Sequence, residues 1–336
     1  MSQPSLSVTA QVLGRALGNA VAGVESTLIG RFTCELWRLD VTFTGGDRQA
    51  VVLKRPKQEP NRDSMASERR FYERYSAALD SAPRYLGYIE EVDGILLEFV
   101  DRLVPFDWWA GPTEQHAEDS IAALAALHRV DPGVVDWLPR FDAERVGRIA
   151  DQYDEAWPAR RKMLLSFCPG YAATGDHLVG RAGAALNQLE KPRCLLHGDA
   201  HGENIPARRG GGVCMLDWQD PVLGNPGVDV ADYLLMSYDI DDRCRLQDAF
   251  IAQHAALFAR QGYDAGFSFR LGVLQRVVRT VCSAHVFPDW ANSSLPWVLS
   301  VAQLARWMLM WLLWSDFCSG RTERGYNREP IRKPSE

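Results

Sequence analysis

Apolar and polar positions change their rhythm near residue 100. Between residues 20 and 54 the runs are short and β-like. Thr33–Val41 alternates polar and apolar residues, the period of a half-buried strand. Thr44-Gly45-Gly46-Asp47 supplies the glycine pair of a tight hairpin, and Gln49–Lys54 is the returning strand. Ser26–Phe32, around Gly30, reads as the turn between the first two strands. A helix is expected over 7–18. Another is expected over 64–80, where Met65, Phe71, Tyr72, Tyr75 and Leu79 share a face. Pro56 and Pro60 mark a loop ahead of it, and strands over 84–90 and 94–100 meet at Asp93-Gly94.

From residue 101 the period is helical, with helices expected near 113–129, 140–165, 175–189, 227–238, 242–261, 267–286 and 296–316. Two apolar runs interrupt it, Cys194–Leu196 and Val213–Leu216, each read as a short buried strand. The expected fold class is α+β and bilobal. A small β-rich N-lobe spans 1–100, a larger mostly helical C-lobe spans 101–319, and a polar, mobile tail follows over 320–336. A ligand between two such lobes would be clasped at their junction.

The two apolar runs lead into His197-Gly198-Asp199-Ala200-His201-Gly202-Glu203-Asn204 and into Asp217-Trp218. A carboxylate, a carboxamide five residues on and a second carboxylate thirteen beyond that can hold a divalent metal and a reacting hydroxyl. Asp199 would accept or orient the hydroxyl proton, while Asn204 and Asp217 would hold Mg²⁺, which takes few protein oxygens plus phosphate and water. Any one of these residues alone reads as a turn or cap; three of them, each after an apolar strand, point to phosphoryl transfer. His197-x-Asp199-x-His201 also invites a zinc metallohydrolase. The other five histidines are widely scattered, and the plainer alternative is that His197 and His201 brace the loop.

Glu68 is the other anomaly. It lies three, four and seven residues before Phe71, Tyr72 and Tyr75, on their helix face. An inward carboxylate needs a partner, and Lys54, at the end of an apolar strand, is the natural one. Such a pair would aim an ammonium at phosphate oxygens; otherwise the two are a surface lysine and a half-exposed glutamate that never meet. In the expected turn, backbone N–H groups and the Ser26 and Thr27 hydroxyls could cover phosphates, although no G-x-G-x-x-G or Walker A motif is present. Phe106, Trp108 and Trp109 line a pocket or, more simply, pack at the lobe junction. His128 reads as a core histidine. Asp239, Asp241 and Asp242 greet a cationic substrate or form a solvated loop.

Composition adds mainly exclusions. The chain has 336 residues, 46% hydrophobic and 24% charged, with a net charge of −6, so it carries no electrostatic footprint for nucleic acid. Seven scattered cysteines without a CxxC pair suit reduced thiols in a cytoplasmic protein. The N-terminus has no signal-peptide pattern. Trp297–Trp314 is interrupted by Gln303 and Arg306 and reads as a buried C-terminal helix, not a membrane span. The expected partner is a small-molecule hydroxyl substrate, with no nucleic acid and no membrane; oligomeric state stays open.

His197-Gly198-Asp199-x-His201-x-x-Asn204 followed by Leu216-Asp217-Trp218 resembles the aminoglycoside phosphotransferase and choline kinase-like family, which has the protein-kinase-like fold. Val51-Val52-Leu53-Lys54 looks like its nucleotide-lysine strand, and Glu68 within Glu68-Arg69-Arg70-Phe71-Tyr72 like its helix glutamate. Leu97-Glu98-Phe99-Val100 is similar to the hinge whose backbone contacts adenine. Leu124–His128 and Asp229-Val230-Ala231-Asp232 sit where the family carries similar strings. The resemblance implies ATP (or GTP) and Mg²⁺ as cofactors, Asp199 as catalytic aspartate, and Asn204 and Asp217 as metal ligands. It also implies Lys54 at the α/β-phosphates, held by Glu68, Glu98 and Val100 at the base, and Asp229 bracing the loop. Gly202-Glu203 stands where the family often has Pro-Gly, and Pro206 falls where a short strand is expected. The glutamate-Phe-Tyr string and the plain glycine turn lean toward the ecdysteroid-kinase-like relatives. The resulting expectation is a small-molecule O-kinase; the alternative is a nucleotide-binding protein without transferase activity.

Overall fold

The alternating runs of the first hundred residues pair into one antiparallel sheet. Its strands are β1 (Val21–Arg31), β2 (Cys34–Phe43), β3 (Arg48–Pro56), β4 (Tyr85–Ile89) and β5 (Gly94–Glu98), in the order β1-β2-β3-β5-β4. The computed structural model describes residues 6, 8–31, 34–57, 62–107, 110–167, 169–238 and 240–282. The expected helix over 296–316, the tail over 320–336, Trp108, Trp109 and Asp239 lie outside the described residues.

The two sides of the sheet bury different partners. Leu39, Val41, Val51, Leu53 and Leu96 form one core with Leu13 of α1 (Ala10–Leu17). Thr9 caps α1 by accepting from the Val12 N–H, and Gly18 ends it at φ 66°. On the opposite side Val52 packs against the second core, which contains Met65, Phe71, Tyr72 and Tyr75 of α2 (Arg62–Tyr75). Lys54, two residues on from Val52, points the same way, because side chains of a strand alternate. The Tyr75 hydroxyl donates to Pro132 O at 2.8 Å and joins α2 to the helical lobe.

The second lobe contains α3 (Glu114–Arg129), α4 (Ala143–Phe167), α5 (Pro169–Leu178), α6 (Ala182–Leu186), α7 (Gly227–Ser237), α8 (Ile240–Phe258) and α9 (Ala265–Cys282). The chain is thus α+β and bilobal. The single helix expected over 175–189 is instead broken, because Gly180 adopts φ 67° between α5 and α6. No helix among the described residues is long and apolar enough to cross a membrane.

Two further expectations fail. Ser26–Arg31 is strand, not turn: Ser26 pairs with Leu39, Thr27 with Arg38 and Gly30 with Leu36. Cross-strand pairing along the whole of β2 outweighs a lone glycine, which only shifts the register near Gly30. Ser26 and Thr27 are therefore exposed strand residues that offer no turn N–H groups. Val213–Leu216 is not a regular strand either: among the described residues only Val213 bridges, to Ala207, and β6 (Cys194–Leu196) pairs with β7 (Val222–Gly224). Pro206 lacks an N–H and cannot sustain a regular ladder with Val213–Leu216. The amides of Cys214, Met215 and Leu216 instead go separately to Pro206 O, Ser81 O and Asn204 O.

Candidate active site

Lys54 and Glu68 do meet. The ammonium of Lys54 lies 2.7 Å from Glu68 Oε2 and 2.7 Å from Asp217 Oδ1. Glu68 is 1% exposed, so its charge depends on that partner. Glu68 Oε1 also accepts from the Trp218 N–H at 3.3 Å. Burial pushes the Glu68 carboxyl up to about 6, and Lys54 opposes the rise. Burial disfavours the Lys54 ammonium, yet Glu68 and Asp217 outweigh it and hold the group well above its ordinary value. The pair is a fixed cation at the seam between the lobes.

Asp217 reaches that cation because its backbone is left-handed, at φ 60°. Aspartate tolerates this conformation better than most residues. The next residue secures the turn: the Trp218 ring stacks on Phe71 of α2 at 3.8 Å between centroids, and its Nε1–H donates to Met215 O at 3.2 Å. Asp217 stays half-exposed on the open side.

The loop 197–204 is braced from beneath. The buried Asp229 of α7 accepts from the His197 N–H at 2.7 Å and the Gly198 N–H at 2.9 Å. His128 Nε2 lies 3.0 Å from Asp229, and His128 Nδ1 lies 2.9 Å from His254 Nε2. His128 is thus the core histidine expected from its helix face. Gly198 has φ 82°, and a Cβ there would fall 2.0 Å from Asp220 O. Gly198→Ala is therefore expected to destabilise the fold by about 2–3 kcal/mol, measured by urea unfolding; a loss below about 0.5 kcal/mol would contradict this packing.

Asp199 and Asn204 close the loop. Asn204 Nδ2 donates to Asp199 O at 2.9 Å and to Asp199 Oδ2 at 3.3 Å, so Asn204 Oδ1 is the atom left to bind a ligand. Asp199 is also surrounded by histidine and arginine nitrogens. His201 Nε2 is 3.5 Å away, Arg276 Nη1 3.6 Å and Arg279 Nη2 3.8 Å. Burial alone would raise the Asp199 carboxyl, but His201, Arg279 and Arg276 together hold it well below the usual carboxylate range. Reading the sequence missed the two arginines. Their signal is a pair of charges three residues apart on a helix otherwise lined by Leu271, Leu274, Val277 and Val278.

An amide oxygen and a carboxylate form an all-oxygen donor set, short of six, which fits Mg²⁺ completed by phosphate oxygens and water. Zinc does not fit. No group of three or more His, Cys, Asp or Glu among the described residues could hold a metal. His197 turns away from Asp199 into the core, with Nε2 2.8 Å from Leu216 O and its ring 4.3 Å from the Trp218 ring. It braces the loop, and the hydrolase alternative loses its first ligand.

At the end of the sheet, Glu98 pairs with Val51 and its N–H donates to Arg84 O at 2.9 Å. The Val100 N–H, just beyond, has no hydrogen-bond partner among the described residues. Phe106 packs where a Cβ on Gly202 would meet its ring at 2.1 Å, so Gly202 has room for no side chain.

Solved structures share this architecture. A choline kinase from Cryptosporidium parvum Iowa II is 13% identical with a TM-score of 0.60, covering 93% of this chain and 97% of that one. An ethanolamine kinase from Plasmodium vivax is 14% identical with a TM-score of 0.56, covering 88% and 85%. A type I macrolide 2′-phosphotransferase is 17% identical with a TM-score of 0.56, covering 90% and 99%. At these identities the likeness shows the protein-kinase-like fold. No curated protein sequence matches the chain. The sequence profile of the phosphotransferase enzyme family matches residues 37–265, which include Lys54, Glu68, Asp199, Asn204 and Asp217, and the chain belongs to that family.

Proposed function

We propose that the protein is a kinase of small molecules, moving the γ-phosphate of ATP (or GTP) to a hydroxyl with Mg²⁺ bound. The observation that carries this reading is the Lys54 ammonium, held at 2.7 Å by both Glu68 of one lobe and Asp217 of the other. It sets a cation for phosphate oxygens beside the Asp199 loop. The backbone of Glu98 and Val100 would receive the base, and the Thr27 hydroxyl, on the Lys54 side of the sheet, would touch phosphate from β1; Ser26, paired with Leu39, faces the other side. Asn204 and Asp217 would hold Mg²⁺, which neutralises charge on the phosphates. Asp199, held well below the usual carboxylate range by His201, Arg279 and Arg276, is a weak base; it orients the acceptor hydroxyl and takes its proton late. This suits a loose transition state in which positioning matters more than proton removal.

The test is turnover of Mg-ATP, and separately Mg-GTP, over a panel of aminoglycosides, other hydroxylated antibiotics, amino alcohols, sugars and sterol-like alcohols, read as the mass gain of one phosphoryl group. At least one acceptor is expected to gain phosphate. Tight nucleotide binding without transfer to any acceptor would instead favour the nucleotide-binding module.

The Glu68 carboxyl predicts a pH dependence. A carboxyl raised to about 6 is ionised above that pH and takes up a proton below it, which loosens the hold on Lys54. The kcat/KM is expected to fall about tenfold per pH unit below pH 6. Glu68→Gln should be slower throughout yet lack that acid limb. An unchanged limb in the variant would assign it to another group.

A further inference from the structure

A cleft of about 240 Å³ lies against the Asp199 loop, between α4 and α9. Gly198, Asp220 and Arg279 form its loop side, and Phe141, Ile149, Val222 and Val228 give it apolar walls. Arg279 joins it to the reacting carboxylate: one of its nitrogens donates to Gly198 O, while Nη2 lies 3.0 Å from Asp220 Oδ2 and 3.8 Å from Asp199 Oδ1.

Two polar groups in this wall lack partners. The Arg145 guanidinium sits over the Phe141 ring, 5.5 Å from its centroid, and engages no hydrogen bond or ion pair among the described residues. The carboxylate facing it, Asp220, is taken by Arg279. Burial lowers the Arg145 pKa below its ordinary value, with Asp220 opposing and Arg279 and Arg148 adding to the fall. Gln275 is 5% exposed, and its Oε1 has no hydrogen-bond partner. A half-buried cation and a buried amide oxygen are costly unless something satisfies them.

We propose that this cleft takes the phosphate acceptor, and that the acceptor is a small hydroxy acid. Its carboxylate pairs with Arg145, its apolar part lies on Phe141 and Ile149, and its hydroxyl reaches Asp199 past Arg279. This rests on the phosphotransferase reading above. The volume is below the roughly 300–1,000 Å³ of drug-sized sites, so the occupant is smaller than an oligosaccharide antibiotic. A cationic acceptor would place its charge against Arg145 and Arg279. In the transfer the acceptor oxygen bonds to the γ-phosphorus as the bond to the β,γ-bridging oxygen breaks. ADP leaves with that electron pair, and the hydroxyl proton passes through Asp199 to water.

The experiment titrates three acids, 3-hydroxybutyrate, 4-hydroxybenzoate and 3-phenyllactate, and their methyl esters into the full-length protein by calorimetry. Phenylalaninol serves as the cationic control, and Mg-ATP turnover is run in parallel. At least one acid is expected to bind about tenfold or more tightly than its ester, as a charge-assisted bidentate contact requires. Arg145→Gln should erase that difference, Arg145→Lys should keep part of it, and ADP affinity should match in all three proteins. Esters or phenylalaninol binding as well as the acids, or an acid preference that survives Arg145→Gln, would overturn the proposal. Phosphorylation confined to cationic or neutral alcohols would overturn it and leave the kinase reading standing. Acid preference with no phosphate transfer to any acid would overturn the acceptor assignment and leave only a carboxylate-binding cleft.

Discussion

Asp199→Asn is expected to cut the kcat of phosphate transfer about a thousandfold, within the range of about 10²–10⁴ for a positioned acid–base group, and to leave nucleotide affinity within about twofold. The two effects separate because of where the residue stands. The Lys54 cation is held by Glu68 and Asp217, not by Asp199, so the phosphate end of the site survives the change. The acceptor end does not. An amide neither takes the hydroxyl proton nor answers Arg276 and Arg279, which stand 3.6 and 3.8 Å from the carboxylate. Quenched mass-spectrometric rates at saturating acceptor give kcat, and nucleotide titration gives affinity. A kcat within tenfold of wild type would remove Asp199 from the mechanism.

Some of this arrangement was legible in the sequence for a simple reason. A charge on an apolar helix face has few ways to exist, so Glu68 demanded a cation, and Lys54 stood at the end of a strand just before it. Likewise Asp199, Asn204 and Asp217 each follow an apolar run, and the chain brings those runs together. The arginines around Asp199 were harder to read. They come from α9, far along the chain, and nothing in the local pattern of Ala265–Cys282 says which carboxylate they face. That depends on tertiary packing alone. The error at Ser26–Phe32 is of the same kind: a glycine is a local signal, and the partner strand that overrides it is not local. At Val213–Leu216 the apolar run is largely buried as expected but is not a regular strand, because Pro206 removes a donor from the ladder and, among the described residues, only Val213 bridges, to Ala207.

Asp229 is where stability and activity are most tightly joined. Its carboxylate, 0% exposed, answers three donors: the N–H groups of His197 and Gly198, at 2.7 and 2.9 Å, and His128 Nε2 at 3.0 Å. The last has its own support in His254, whose burial, with His128 beside it, lowers its pKa to about 3 and keeps it neutral. Asp229→Asn exchanges one accepting oxygen for a donating amide and strands at least one of these groups. The loss is expected to be about 2–3 kcal/mol, the cost of a buried unsatisfied donor. Asp229→Ala strands all three, with an expected loss of about 3–5 kcal/mol. The carboxylate proposed to be catalytic lies one residue beyond Gly198, so a loop loosened there misplaces Asp199 even in molecules that remain folded. A misplacement of about 1 Å costs on the order of a hundredfold in rate. Urea unfolding gives the first quantity, and kcat at a temperature where the variant is fully folded gives the second. If the folded Asp229→Asn protein kept wild-type kcat despite its lower stability, Asp229 would be a stabilising residue without a part in positioning the loop.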